Sequence, residues 1–66
     1  MRLTVNGQPR DQAEGSTLGD LLRALGQAEG RVAVELNREI LRRESFERIA
    51  LHEGDQVEIV RLVGGG

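Results

Sequence analysis

Four leucines at helical spacing constrain the fold of this chain more than any other feature. They are Leu18, Leu21, Leu22 and Leu25. The spacing i, i+3, i+4 and i+7 predicts one apolar stripe along a helix. Ser16 or Thr17 suits the N-cap of this helix, and Gly26 suits the position just past its end. A chain of 66 residues has few other sources of a core, so we assign the stripe to the interior.

Alternating apolar and polar residues predict strands on both sides of this helix. The predicted strands are Met1–Val5, Gln8–Ala13, Val32–Leu36, Glu39–Leu41 and Gln56–Leu62. Asn6-Gly7 predicts a two-residue hairpin turn between the first two strands, and Pro9 predicts that the second lies at an edge. Residues 42–48 are charged around Phe46, so we expect a loop with one helical turn that Phe46 anchors to the core.

The order of these elements, a hairpin, a helix and further strands, is typical of an α+β protein with the β-grasp (ubiquitin-like) fold. We expect a mixed sheet of four to five strands with one main helix packed on one face. In this fold the first and last strands lie parallel at the centre of the sheet. We therefore expect a β-grasp domain over residues 1–62, followed by a flexible glycine-rich tail at 63–66.

Composition argues against several classes of function. The chain has no cysteine and one histidine, so it offers neither a thiolate nucleophile nor a Cys- or His-based metal cluster. A net charge of −2 and a single aromatic residue argue against nucleic-acid binding. No apolar run is long enough to cross a bilayer, and there is no signal peptide. We expect a cytoplasmic protein with no bound metal or cofactor and no membrane partner.

The chain ends on three glycines, Gly64, Gly65 and Gly66. Because glycine has no Cβ, such a segment can enter a channel too narrow for other residues. Together with Val63, the extended glycines reach roughly 13 Å, which suits a protein that presents its terminal carboxylate to another protein's active site. A frayed end or a cloning scar would look the same, so the glycines alone leave both interpretations open.

Val60 and Leu62 fall, by strand alternation, on the sheet face that the helix leaves open. Exposed apolar residues beside the tail predict a docking patch that a partner grips while the tail enters its active site. Two alternatives stay open. A loop covers the two side chains, or the alternation breaks near Arg61.

Four stretches of the chain, taken in order, match one known family. They are the opening strand into Val5-Asn6-Gly7, the helix from Thr17 to Gly26, the segment from Val32 to Ile40, and the ending from Glu53 to Val60 with Val63-Gly64-Gly65-Gly66. Together they resemble the ThiS family, the sulfur-carrier proteins of thiamine biosynthesis. Arg42, Phe46 and Leu62 depart from the proline, tryptophan and alanine common in that family, and they concern packing or docking rather than the terminal chemistry.

The resemblance implies a mechanism centred on Gly66. An E1-like activating enzyme of the ThiF type adenylates this glycine with ATP and magnesium. A persulfide sulfur, supplied from cysteine by a cysteine desulfurase, then converts it into a C-terminal thiocarboxylate. That sulfur passes to a thiazole synthase of the ThiG type. The chain would be a co-substrate with no catalytic residue of its own, Gly64 and Gly65 would provide clearance, and Val60 and Leu62 would dock the partner.

Other functions remain compatible with the residues. A sibling sulfur carrier would serve molybdopterin synthesis or tRNA thiolation. A ubiquitin-like modifier would form isopeptide bonds through Gly66, although a chain without lysine could not build lysine-linked chains on itself. A non-covalent interaction module would leave the tail inert.

Overall fold

The structure, a computed structural model, describes residues 1–62 and contains one mixed sheet of five strands. The elements are β1 (Arg2–Val5), β2 (Gln8–Asp11), α1 (Leu18–Ala24), β3 (Val32–Leu36), β4 (Glu39–Leu41), a 3₁₀ helix (Arg43–Arg48) and β5 (Gln56–Arg61). The strand order across the sheet is β2-β1-β5-β3-β4. β1 and β5 are parallel, whereas the other neighbouring pairs are antiparallel. The last strand therefore lies at the centre beside the first, as predicted.

Two hairpin turns use asparagine in a left-handed conformation. Asn6 (φ 51°) and Gly7 (φ 79°) connect β1 to β2, and positive φ at both positions matches the twist of the flanking strands. Asn37 (φ 51°) and Arg38 (φ 73°) connect β3 to β4 in the same way. The prediction that Pro9 lies in an edge strand is confirmed, because β2 is the outermost strand beside β1.

The ends of two strands differ from the prediction. β2 ends at Asp11 instead of Ala13. The chain turns away towards α1 there, and both the N–H and the hydroxyl of Ser16 donate to the Ala13 carbonyl, at 3.2 and 2.7 Å. β5 ends at Arg61 instead of Leu62, although the Leu62 N–H still donates to a neighbouring carbonyl. Such differences arise because end residues of strands and helices are held by fewer hydrogen bonds.

A capping box starts α1 at Thr17. The Asp20 N–H donates to Thr17 Oγ1 at 3.1 Å, and the Thr17 N–H donates to Asp20 Oδ2 at 2.9 Å. This backbone hydrogen bond, with a second bond from Arg23, holds the pKa of Asp20 below its ordinary value. Gly26 (φ 71°) lies just past the helix end, as predicted. Within residues 1–62, no helix is long and apolar enough to cross a membrane.

Replacing the Thr17 cap is expected to weaken the fold measurably. Thr17→Ala removes the acceptor for the Asp20 N–H, and the loss of such a cap costs about 0.5–2 kcal/mol of unfolding free energy. Urea denaturation followed by circular dichroism measures this cost. Thr4→Ala, a half-buried threonine in β1 with no part in a cap, is the matched control. An equal loss in both variants would contradict a specific role for the capping box.

The core lies between α1 and the sheet face that α1 covers. Its buried apolar side chains are Leu3, Val5, Leu18, Leu21, Leu22, Val34, Phe46, Leu51 and Val57. Leu25 is only half-buried at the edge of this core, so three of the four stripe leucines fill it. Phe46 anchors residues 43–48 as predicted, but the helical segment extends over six residues and exceeds the single turn we expected.

Leu51 belongs to the core, although the sequence around it predicts only a turn into the last strand. Its side chain is 3% exposed. The Leu51 N–H donates to the Ser16 carbonyl at 3.0 Å, and the Leu18 N–H donates to the Ile49 carbonyl at 2.9 Å. These bonds place residues 49–51 alongside the start of α1. Such a long-range pairing has no local sequence signal.

An arginine clamp ties α1 to the 3₁₀ helix. Arg23 makes two hydrogen bonds to the Glu47 carboxylate, at 2.7 and 3.0 Å, and a third to Asp20 at 2.7 Å. The hydrogen bond from Arg23 lowers the pKa of Glu47. A Cβ at Gly19 would overlap the Glu47 carboxylate, so a glycine inside α1 leaves room for this pair. Exposed pairs of this kind contribute little to stability individually, and we assign the clamp to orienting the 3₁₀ helix.

Candidate functional site

Strand pairing holds the chain in place up to the last described residue. In the antiparallel pair with β3, Val34 lies opposite Ile59 and Ala33 lies opposite Val60. Beyond the end of β5, the Leu62 N–H donates to the Arg31 carbonyl at 2.9 Å. The segment 63–66 therefore begins from a hydrogen-bonded position at the end of the central strand.

The three tail glycines lie outside the described residues. The assignments of Gly66 to sulfur loading and of Gly64 and Gly65 to clearance therefore stay predictions. The described residues end at Leu62, after which this segment follows in the sequence.

The turn asparagines bind the backbone of β5 at its start and at its middle, a role that sequence reasoning missed. Asn6 Oδ1 accepts the Ile59 N–H at 2.7 Å, beyond the last paired residues of β1 and β5. Asn37 Oδ1 accepts the Gln56 N–H at 2.9 Å, and the Asn37 N–H donates to the Gln56 carbonyl at 2.8 Å. The sequence around Asn6 and Asn37 predicts only turns, because the N–H groups that bind these side chains lie 53 and 19 residues away.

The open face of the sheet carries exposed apolar side chains near the end of the described residues. Val60 is 58% exposed and Leu62 is 46% exposed. Among residues 1–62, no loop buries these two side chains, and Glu58, Val60 and Leu62 are all exposed as the alternation predicts. The prediction that Val60 and Leu62 lie exposed on this face is thus confirmed, whereas their role in docking stays a prediction.

Ile40 joins this surface and was not among the predicted site residues. It is 76% exposed, and it lies opposite Glu35 in the β3–β4 pair. Its strand neighbour Leu41 packs against the core, so alternation turns Ile40 outward. That alternation was readable in Glu39-Ile40-Leu41, but a three-residue strand gives too short a pattern to decide which residue faces inward.

We define the open-face patch by its apolar and acidic members. They are Ala33, Glu35, Ile40, Glu58, Val60 and Leu62. All are exposed, and all but Leu62 line a shallow depression of ≈ 100 Å³. The patch thus combines apolar side chains with two carboxylates, next to the origin of segment 63–66.

A larger groove of ≈ 420 Å³ lies on the other side of the sheet. Its apolar floor comprises Val5, Leu25 and Ile59. Its rim includes Arg61, whose guanidinium donates to Gln27 at 3.0 Å. Among the described lining residues, none is a carboxylate or a nucleophile. The groove is therefore suited to contact with apolar groups and supplies no acid–base chemistry.

The strand order, the central parallel pair and the single helix packed on one sheet face define a protein of the β-grasp, ubiquitin-like class. The family model "ThiS family" matches residues 3–66, which is nearly the whole chain and includes the three glycines. The chain belongs to the ThiS family.

Solved structures and curated relatives agree with this assignment. The crystal structure of a thiamine biosynthesis protein (ThiS) from Geobacter metallireducens superposes with a TM-score of 0.83 at 46% identity, and the match covers 100% of both chains. The sulfur carrier protein ThiS of Escherichia coli is 30% identical over 100% of both chains.

The thiazole synthase of Magnetococcus marinus is 41% identical over the whole of this chain. The chain spans only 20% of the length of that protein, and the same is true of the thiazole synthase of Paramagnetospirillum magneticum. In both proteins, a segment similar to this chain is thus part of a much longer polypeptide.

Proposed function

We propose that this chain is a sulfur carrier of thiamine biosynthesis that carries its sulfur on Gly66 as a C-terminal thiocarboxylate. The observation that carries the proposal is the family match, because it extends through residue 66 and includes relatives named as sulfur carrier proteins. The described geometry supports it, since β5 pairs with a strand on both sides and ends one residue before the last described residue.

The chemistry requires that the Gly66 carboxylate be activated. A carboxylate is a poor electrophile because its negative charge is delocalised and its oxygen is a poor leaving group. In an adenylating enzyme of the ThiF type that binds magnesium, this carboxylate attacks ATP. The products are an acyl-adenylate and pyrophosphate. A persulfide sulfur from a cysteine desulfurase can then attack the acyl carbon and displace AMP, which gives an acyl disulfide. A thiol must then attack the enzyme's sulfur of that disulfide, so that the S–S bond breaks, the thiocarboxylate leaves and the thiol is oxidised to a new disulfide. The loaded sulfur goes on to the thiazole ring.

A ThiG-type thiazole synthase is the proposed acceptor of the sulfur. Two proteins named thiazole synthase contain a segment 41% identical to the entire chain. Covalent linkage of a carrier to the enzyme that uses it raises the local concentration of the carrier. The same pairing as separate proteins would depend on docking, for which we propose the open-face patch.

In this proposal the chain is a cytoplasmic co-substrate, and the catalytic groups belong to its partners. The carrier contributes an unhindered acyl carbon at the end of Gly64-Gly65-Gly66, and binding of its folded body supplies proximity. A side chain at Gly65 would crowd both the entry channel and the approach of the sulfur nucleophile.

The test is an intact-mass measurement after incubation with the adenylating enzyme from the same genome, ATP, magnesium, a cysteine desulfurase and cysteine. We expect a mass gain equal to the difference between sulfur and oxygen. The sulfur carrier protein ThiS of Escherichia coli with its own enzymes serves as the positive control. No gain in this chain while the control is loaded would overturn the proposal, and covalent attachment to other proteins would identify a modifier instead.

A neutral polar group at Leu62 is expected to weaken docking. Leu62→Asn keeps the branched shape of the side chain but removes the apolar contact, and its amide would be buried without a partner. We expect binding to the adenylating enzyme to weaken about tenfold. Isothermal titration calorimetry measures the affinity, with Ala13→Asn, an exposed loop position, as the control. Equal affinities for Leu62→Asn and the native chain would exclude Leu62 from the interface.

A further inference from the structure

Two glutamates of the open-face patch lie directly opposite each other without a cation. Glu35 and Glu58 are cross-strand partners in the antiparallel β3–β5 pair, and both are exposed. Within residues 1–62, neither carboxylate takes part in a salt bridge or a side-chain hydrogen bond. Directly opposed like charges destabilise a sheet, so this pair has a cost that the isolated domain does not offset.

Apolar side chains border this pair on one side. Ile40 flanks Glu35 on β4, and Ala33 and Val60 form the next cross-strand pair on the same face. Together these five side chains line the ≈ 100 Å³ depression. Two carboxylates beside apolar side chains are suited to one cation that both can bind once a partner covers the surface.

Arginine side chains bind Asp11, Asp20 and Glu47, whereas none binds Glu35 or Glu58 within residues 1–62. Arg23 bonds both Asp20 and Glu47, and Arg2 bonds Asp11 at 3.0 Å. The chain has nine basic residues, all arginine, and several are used for such pairs. The pair on the open face stays acidic and thus forms a negative centre within the patch.

We propose that the open-face patch binds a protein surface that inserts one arginine between Glu35 and Glu58 and packs apolar side chains on Ile40 and Val60. The planar guanidinium carries five N–H donors and can bond two carboxylates at once. This inference rests on the proposed function, since it specifies the surface by which an enzyme acting on the Gly66 carboxylate holds the carrier. A second copy of this chain is a poor occupant, because two identical acidic patches face to face would repel.

The experiment compares Glu35→Gln, Glu58→Gln and the double variant with the native chain. Glu29→Gln is the matched control, since it makes the same change at an exposed loop position. Binding to the adenylating enzyme and to the thiazole synthase of the same genome is measured by calorimetry at low and high salt. We expect the double variant to bind the adenylating enzyme about tenfold more weakly at low salt, with a smaller salt dependence, and the control to bind like the native chain. The thiazole synthase serves as a comparison.

A thermal melt of each variant separates docking from folding. We expect the double variant to melt at the same or a higher temperature than the native chain, because neutralisation removes a like-charge pair. Weaker binding with a lower melting temperature would assign the glutamates a structural role and overturn the proposal. Unchanged or tighter binding of the double variant to the adenylating enzyme would also overturn it, as would self-association of the native chain that the double variant loses.

Sulfur loading distinguishes this inference from the proposed function. If the native chain gains sulfur and the glutamine variants bind normally, the arginine contact is wrong and the carrier function stands. If binding depends on Glu35 and Glu58 but the native chain is never loaded beside a loaded control carrier, the docking surface stands and the carrier function is wrong. Failure of the native chain to bind either enzyme would count against the docking proposal.

Discussion

Deletion of Gly66 is expected to abolish sulfur loading while leaving the fold intact. The deletion shortens the tail by about 3.3–3.6 Å, and the new terminal carboxylate of Gly65 would fall short of the ATP that it has to attack in the adenylating enzyme. Intact mass after incubation with the enzyme, ATP and a sulfur source reports the loading. We expect no detectable thiocarboxylate in the deletion variant under conditions in which the native chain is fully loaded.

Two controls make this result specific to the tail. Circular dichroism and thermal melting of the deletion variant should match those of the native chain, because residues 1–62 supply all the described core contacts. Gly66→Ala keeps the length of the tail and tests the effect of a side chain at the acyl residue alone. Normal loading of the deletion variant would show that the reactive position is not set by tail length, and it would remove Gly66 from its assigned role.

Truncation of Leu21 is expected to cause a large loss of stability. Leu21 is 0% exposed and belongs to the core cluster. Leu21→Ala should cost about 2–5 kcal/mol, since a cavity remains where the side chain was. Native domains are stable by only about 5–15 kcal/mol, and small domains have thin cores, so this loss is a large fraction of the total.

Urea denaturation of Leu21→Ala and Leu25→Ala tests this expectation within the same stripe. Leu25 is only partly buried at the edge of the core, so its truncation should cost clearly less. Both substitutions introduce the same residue into or next to α1, which cancels most of the difference in helix propensity. An equal loss of unfolding free energy in the two variants would mean that burial does not determine how much each leucine contributes to stability.

Local sequence patterns predicted the structure correctly where one residue type determines the backbone conformation. Asn6-Gly7 predicted the first hairpin turn, which the structure contains with both residues at positive φ. The bounds of β3 and β4 agree with the alternation at Val32–Leu36 and Glu39–Leu41. Thr17 was one of two candidate N-caps, and the structure selects it because Asp20 completes the capping box.

Long-range contacts were not predictable in this way. Leu51 is buried because residues 49–51 pair with the start of α1, and no periodicity marks such a contact. The Asn6 side chain reaches the Ile59 N–H, a partner 53 residues away. The outward position of Ile40 depends on the register of β4 against β3, which a three-residue strand cannot specify alone.

The candidate site likewise has a part that the sequence predicted and a part that it did not. The outward alternation of Val60 and Leu62 was visible in β5 because a strand of six residues shows its period. The opposition of Glu35 and Glu58 was not visible, since these residues belong to strands that are far apart in the chain and meet only through the β3–β5 register.

By itself, the sequence determined the local elements of this protein, its β-grasp class and its resemblance to the ThiS family, because turns, caps and hydrophobic periods act within a few residues. Only the tertiary structure decided which strands became neighbours, and with them the place of Leu51 in the core and the acidic centre of the open-face patch. The physical reason is that strand register brings distant segments together, and the charges and apolar groups of a surface acquire their neighbours only then.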